Sequence, residues 1–298
     1  MERILFPTDG SDFSERALEV AAELANAQEA ELVLVRVVEP IPWVDSDAGM
    51  GVYDSTTPDM YEQMQAALKE EAQARLDELT AELRSRVVRL RTIVLHGYAA
   101  HELLLCELRE TPDLVVMASH GRTGLARFAL GSVADRLVRE GTTPVLIVRS
   151  FQDETSKVET ALVPLDGSST AEQSLPMIKV LAGRPLRTVE LLRAVETSDE
   201  IAEALTYLKS AAATIATTAL EVTTTVKIGH AVEAIEAEAH GHDVIVMATH
   251  GLGGFDRFRH GSVAERAMRH ITKPVLLVRI GLPARPDTGL MIGTTANA

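Results

Sequence analysis

The chain is poor in the features that would assign it to several large protein classes. It has a single cysteine, Cys106, in 298 residues. One thiol excludes an intramolecular disulfide. Cys106 lies in an apolar, helix-like stretch, which predicts a buried and inert thiol. Long apolar runs are absent, and none reaches the roughly 18 residues needed to span a bilayer. The opening Met1-Glu2-Arg3-Ile4-Leu5-Phe6-Pro7 is too short an apolar run for a signal peptide, so the expected location is cytoplasmic. Positive charge is also scarce, with 29 Lys+Arg against 43 Asp+Glu and a net charge of −14. Nucleic acid and anionic membrane are therefore not expected partners, because both need a basic face. There is no Cys/His cluster and no His pair at metal-binding spacing, so no metal site is expected. His120 and His250 read as structural or ligand-neighbouring. No positioned general base or nucleophile is visible, so catalysis is not demanded.

What the chain does have is repetition. Met117-Ala118-Ser119-His120-Gly121, nine residues and Gly131-Ser132 return as Met247-Ala248-Thr249-His250-Gly251, nine residues and Gly261-Ser262. Asp9-Gly10-Ser11 returns as Asp166-Gly167-Ser168. The chain is thus two copies of one unit. The expected domains are 1–149 and 158–280, each long enough to bury its own core. A polar stretch at 150–157 reads as the linker. An insertion at 40–58, carrying Trp43, Gly49, Gly51 and Tyr53, belongs to the first copy alone and reads as a lid or a mobile loop. Residues 283–298 read as a tail.

Within each copy, strand-like and helix-like segments alternate. In the first, strands are expected at 4–6 (ended by Pro7), 32–38, 87–95, 114–117 and 144–148. Helices are expected at 12–28, 58–85, 99–109 and 133–139. In the second, strands are expected at 160–163, 188–192, 221–227, 244–247 and 275–278. Apolar strands between helices imply a parallel sheet covered on both faces, with right-handed crossovers.

Two constellations could carry chemistry. Pro7-Thr8-Asp9-Gly10-Ser11 and Pro164-Leu165-Asp166-Gly167-Ser168 each follow a first strand. They read either as turn and cap chemistry or as carboxylates that accept hydrogen bonds from a ligand. The glycine phrases open a helix, where backbone N–H groups can hold phosphate. Gly121 and Gly131 would allow close approach. Ser132-Val133-Ala134-Asp135 and Ser262-Val263-Ala264-Glu265 also fit the capping-box pattern. Arg122, Arg127, Arg257 and Arg259 could neutralise phosphate or be solvated loop charges. In a doubly wound sheet the two loops meet beyond the carboxyl ends of the strands, where the strand order reverses.

At these residues the chain resembles the universal stress protein family, in tandem form. The resemblance implies two tandem, doubly wound, Rossmann-like α/β units, each with a five-stranded parallel sheet in the order 3-2-1-4-5. The family's ATP-binding branch carries Gly-x-x-Gly, nine residues, then Gly-Ser or Gly-Thr. Ala118 and Ala248 stand at the first glycine. That is harmless where the backbone is extended and obstructive where φ must be positive. The resemblance implies ATP or a related adenine nucleotide in each half, with Mg²⁺ as a companion of the phosphates. It places Pro7, Thr8, Asp9, Val37, Met117, Ala118, Gly121, Gly131, Ser132 and Val133 around the first nucleotide. Pro164, Leu165, Asp166, Ala194, Met247, Ala248, Gly251, Gly261, Ser262 and Val263 match them in the second half. Family dimers pair through their last strands, so 145–148 and 275–278 are expected to pair within one molecule as a pseudo-dimer, with a homodimer also open. The expected role is a stress-response sensor or regulator. The rival readings are a slow ATPase and a nucleotide-free interaction scaffold.

Overall fold

The computed structural model describes residues 1–41, 58–119, 130–149, 157–249, 263, 266 and 270–280. Outside the described residues fall His120, Gly121, Arg122, Arg127, His250, Gly251, Arg257, Arg259, Gly261 and Ser262. So do nearly all of the 40–58 insertion, most of the linker and the 283–298 tail.

The first half runs β1 (Arg3–Thr8), α1 (Asp12–Gln28), β2 (Glu31–Val38), α2 (Pro58–Leu83), β3 (Arg89–His96), α3 (Ala99–Glu110), β4 (Leu114–Ala118), α4 (Ser132–Glu140) and β5 (Val145–Val148). The second half runs β6 (Thr160–Pro164), α5 (Leu175–Leu181), β7 (Thr188–Val195), α6 (Ile201–Ile215), β8 (Glu221–Ile228), α7 (Ala231–Ala239), β9 (Val244–Thr249) and β10 (Val275–Arg279). Short 3₁₀ turns precede α5 and α6.

Ten strands form one sheet in the order β3-β2-β1-β4-β5-β10-β9-β6-β7-β8. Each half contributes the 3-2-1-4-5 order, and the two contributions join through β5 and β10. That pair is antiparallel, with Leu146 opposite Leu276 and Ile147 opposite Val275. The other ladders are parallel. The join covers two sheet edges that would otherwise expose unpaired backbone. Arg279, at the end of β10, reaches back across it to donate to the Gly141 carbonyl.

Alternate residues of each strand feed two apolar layers, one per face. Both layers run through both halves. One packs Phe6, Leu34, Val116, Leu146, Leu276 and Val163 under α1, α2, α5 and α6. The other packs Leu5, Val35, Val115, Ile147, Val275 and Ile245 under α3, α4 and α7. Cys106 belongs to the second layer, and burial pushes its thiol up to about 11. Its burial is what its apolar surroundings predict.

Of the boundaries that differ from expectation, two have a clear physical cause. Pro7 does not end β1, which continues to Thr8 with Pro7 in register with Val35. The β1–β4 register stops at Leu5–Val115, so a residue without an N–H is tolerated beyond it. The second half repeats this: β6–β9 register stops at Leu162–Ile245, and Pro164 closes β6. β3 starts at Arg89 rather than at 87. Val87 is 3% exposed and its N–H donates to Leu83, so it belongs to the turn ending α2.

Candidate functional site

Where β1 and β4 part, the carboxyl ends of β1, β2 and β4 surround a cavity of about 800 Å³. Its floor includes Asp9, Val37, Met117 and Ala118, and one wall is the start of α4, with Gly131, Ser132 and Val133. The family resemblance implies all of these around one ligand. Pro7 and Thr8 do not line the cavity. Both are buried below it, and Thr8 is structural. Its hydroxyl lies 2.8 Å from Ser14 Oγ and accepts the Gly10 N–H at 3.0 Å.

The Asp9 turn is built from side-chain hydrogen bonds. Asp9 Oδ1 accepts from the Ser11 N–H at 3.0 Å and from the Ser11 hydroxyl at 2.6 Å. Gly10 makes the bend at φ +72°, a conformation that favours glycine. Ser11 then caps α1, its Oγ accepting from the Ser14 N–H. The turn reading of this motif is therefore correct, and it leaves the Asp9 carboxylate held at the cavity floor.

The start of α4 is different. Gly131, not Ser132, is its N-cap, with φ −61° and ψ 154° and no side-chain cap. Ser132 is the first helical residue and is exposed, so the expected capping box of Ser132 does not form. A cap must precede the helix, and here glycine holds that position. Gly131 has extended backbone that any residue can adopt. Its place at the cavity wall, not its φ, is what a larger side chain would disturb. The first N–H groups of a helix lack intrahelical partners, and those of α4 begin at the cavity with no side-chain cap among the described residues. Gly131 N–H itself donates to the Ser119 carbonyl at 2.8 Å, tying the helix start to the end of β4. Among the described residues, one helix start at this site thus carries a side-chain cap and the other does not.

Ala118 and Ala248 are both strand residues, paired with Val148 and Val278. Among the described residues only Glu29 and Thr111 are non-glycine residues at positive φ. The extra methyl is therefore carried on extended backbone in both halves.

Several lining residues escaped the sequence reading. Arg36 is the one charge inside the apolar run of β2, and that interruption was a usable signal. Its guanidinium donates to the Thr8 carbonyl at 3.3 Å. Arg75, Glu71, Glu78 and Leu68 of α2 form the far wall. Arg75 donates to both Glu15 oxygens at 2.8 and 2.6 Å and to Glu78 at 2.6 Å. These bonds hold its guanidinium more firmly protonated than an ordinary arginine.

In the second half the Asp turn is repeated closely. Asp166 Oδ1 accepts from the Ser168 N–H at 2.9 Å and from its hydroxyl at 2.6 Å, with Gly167 at φ +90°. Leu165 replaces Thr8 and is buried in the apolar layer. Pro164 and Ala194 are half-buried, Met247 is buried, and Val263 is exposed.

The sequence model of the Universal stress protein family matches residues 1–149 and again 157–279. The chain belongs to the universal stress protein family. A universal stress protein of Methanocaldococcus jannaschii is 34% identical over 153 residues, 51% of this chain and 85% of its own length. One from Synechocystis is 26% identical over 305 residues, spanning 94% of this chain and 100% of its own. Among solved structures, a universal stress protein from Archaeoglobus fulgidus has a TM-score of 0.73 at 21% identity, covering 94% of this chain and 98% of its own. The family and the tandem fold are thus shared with known proteins. No helix among the described residues is long and apolar enough to cross a membrane.

Proposed function

We propose that this universal stress protein binds an adenine nucleotide in the first-half cavity and acts as a regulator that responds to it. The observation that carries this reading is the start of α4, which has no side-chain cap among the described residues and lines the same cavity as the Asp9 turn. Helix N-termini attract anions through unpaired N–H groups and the helix dipole. The phosphates would lie against Gly131, Ser132 and Val133, and the adenosine would lie near Asp9 and Val37. The volume is ample for a nucleotide, since ligand pockets run to roughly 300–1,000 Å³. ATP is the nucleotide that the motif of the family's ATP-binding branch favours. Among the described residues, no three His, Cys, Asp or Glu side chains converge to hold a metal. Mg²⁺ would therefore come with the phosphates. Gly121, which lies outside the described residues, and the remaining second-half counterparts belong to the same reading by sequence match.

Calorimetric titration with ATP and Mg²⁺ tests this. Gly131→Val puts a branched side chain where phosphate would rest, and its affinity at this cavity should fall by about 100-fold or more, roughly 2.7 kcal/mol. Unchanged binding in a folded Gly131→Val protein would remove the phosphate from α4. No heat in the unaltered protein at millimolar ATP, with no nucleotide released on denaturation, would end the reading altogether.

A further inference from the structure

Besides α4, a second helix starts at the wall of the first-half cavity. Ala99, the first residue of α3, lines it. The N-cap of α3, Tyr98, makes no side-chain bond. Instead Glu39 reaches in from the end of β2, and its Oε1 accepts the Ala99 N–H at 3.2 Å. Unpaired N–H groups and the helix dipole favour a carboxylate there. The protein's own negative charge thus occupies the α3 start, and a phosphate would be repelled from it. The α4 start has no side-chain cap among the described residues.

Glu39 stands on the same face of the sheet as the α4 start. Residues of β2 alternate between the faces, with Leu34 in the layer under α1 and α2 and Val35 and Val37 against the layer under α3 and α4. Glu39 follows Val37 by one more alternation, and its bond to α3 puts the carboxylate on that face. Val133 of α4 packs against the same layer. Glu39, Val37 and Val133 all line the cavity. Its other acids are placed differently. Asp9 Oδ1 already accepts twice from Ser11. Glu71 and Glu78 belong to α2, which packs on the opposite face, and Glu78 pairs with Arg75.

Glu39 is exposed at the cavity rim, and a carboxylate has two accepting oxygens. Phosphates have no donor for it, whereas ribose hydroxyls do. In dinucleotide-binding sheets an acidic side chain downstream of the first turn accepts the ribose 2′-hydroxyl. The repeat also keeps this acid. Val38 and Val195 close β2 and β7 and accept from Gly97 and Gly229, so Glu196 is the counterpart of Glu39. Between the halves Val37 gives way to Ala194, but the glutamate stays.

We propose that Glu39 accepts the ribose 2′-hydroxyl of the bound nucleotide, selecting ribonucleotides and turning the phosphates away from α3 toward α4. This rests on the nucleotide reading above.

Calorimetric titration of the full chain with ATP and with 2′-deoxyATP, each with Mg²⁺, tests it. The affinities are read at the site that Gly131→Val removes, so that a nucleotide in the second half cannot mask them. The unaltered protein should bind ATP about tenfold more tightly than the deoxynucleotide, as one hydrogen bond to a charged group allows. Glu39→Ala should bring the ratio to about one while ATP still binds. If Glu39 only braces α3, its loss changes both affinities alike and leaves the tenfold ratio, which overturns the proposal. A ratio near one in the unaltered protein also overturns it. Both outcomes leave the nucleotide reading standing. No binding of either nucleotide by the unaltered protein overturns that reading itself.

Discussion

The first half builds the amino-terminal end of its sheet from charges, and the second builds the same end from threonines. Arg3 pairs with Glu31 at 2.7 Å and approaches Glu110 at 3.7 Å, while Arg91 reaches Glu31 at 3.3 Å and also pairs with Glu110. The equivalents of Arg3, Glu31 and Arg91 are Thr160, Thr188 and Thr223. Thr160 donates to Asp243 at 3.0 Å, and Thr223 donates to the Val189 carbonyl at 3.4 Å. Beneath this difference one device is retained. Asp113 accepts the N–H groups of Glu2 and Arg3, and Asp243 accepts those of Glu159 and Thr160. Each carboxylate ties the start of one central strand to its neighbour. At this end of the sheet the repeat therefore keeps the carboxylate that accepts from backbone while the residues around it change.

The largest expected effect lies where the halves are not separable. Leu146 and Leu276 face each other across the β5–β10 join, each 1% exposed, in an apolar layer that spans both halves. Leu146→Ala should cost about 2–5 kcal/mol. Unfolding in denaturant should remain a single transition, shifted to lower concentration. Hydrogen exchange should speed up in the cores of both halves. Faster exchange confined to the first half would show that the two repeats are independent units despite their shared sheet.

A smaller effect should separate the halves. Arg91→Ala removes one of the two arginines that join Glu31 to Glu110. The pairs are partly exposed, so the cost should be about 1–2 kcal/mol at neutral pH, above that of an isolated surface pair. Burial works to raise the Glu31 pKa, but hydrogen bonds from Arg3 and Arg91 win and lower it. The Arg91 hydrogen bond lowers that of Glu110 against its burial. Both folded values lie below the ordinary 4.5. Their stabilisation is therefore complete above that pH and is lost as pH falls through the folded values. The gap between the unaltered protein and Arg91→Ala should narrow from pH 7 to pH 3. A gap of constant size would mean that Arg91 contributes packing rather than charge.

Local chemistry was legible in the sequence, and chemistry between distant segments was not. Asp9, Gly10 and Ser11 satisfy one another within three residues, so their turn could be read directly. The alternation of apolar strands and helices was equally local. Arg75 could not be found because its partner Glu15 lies 60 positions away on another helix. α2 is also rich in charged side chains that differ in nothing but what they face. Ser132 was misread for a related reason. Gly131 and Ser132 are both acceptable caps, and only the path of the backbone decides which one precedes the helix. The β5–β10 join was anticipated from the family's habit of pairing last strands, since no residue pattern in either strand announces its partner.

The smallest expected effect concerns the residue at which both halves depart from the family's glycine pattern. Glycine would be needed at Ala118 if the backbone there were left-handed. Instead Ala118 closes β4 in register with Val148, 7% exposed and packed into the apolar layer. Its side chain belongs to packing already made, and the residue also lines the cavity. Ala118→Gly should therefore change nucleotide affinity by less than about threefold, well under 1 kcal/mol. It should cost about 0.5–1 kcal/mol of stability through the added freedom of the unfolded chain. Calorimetry and denaturant unfolding of the same sample measure both. A tenfold gain in affinity would mean that the methyl obstructs the ligand and that the first-half site is a weakened one. Near-neutral binding with a small stability loss would mean that the alanine is a strand residue first, and that the glycines which matter lie further along the loop.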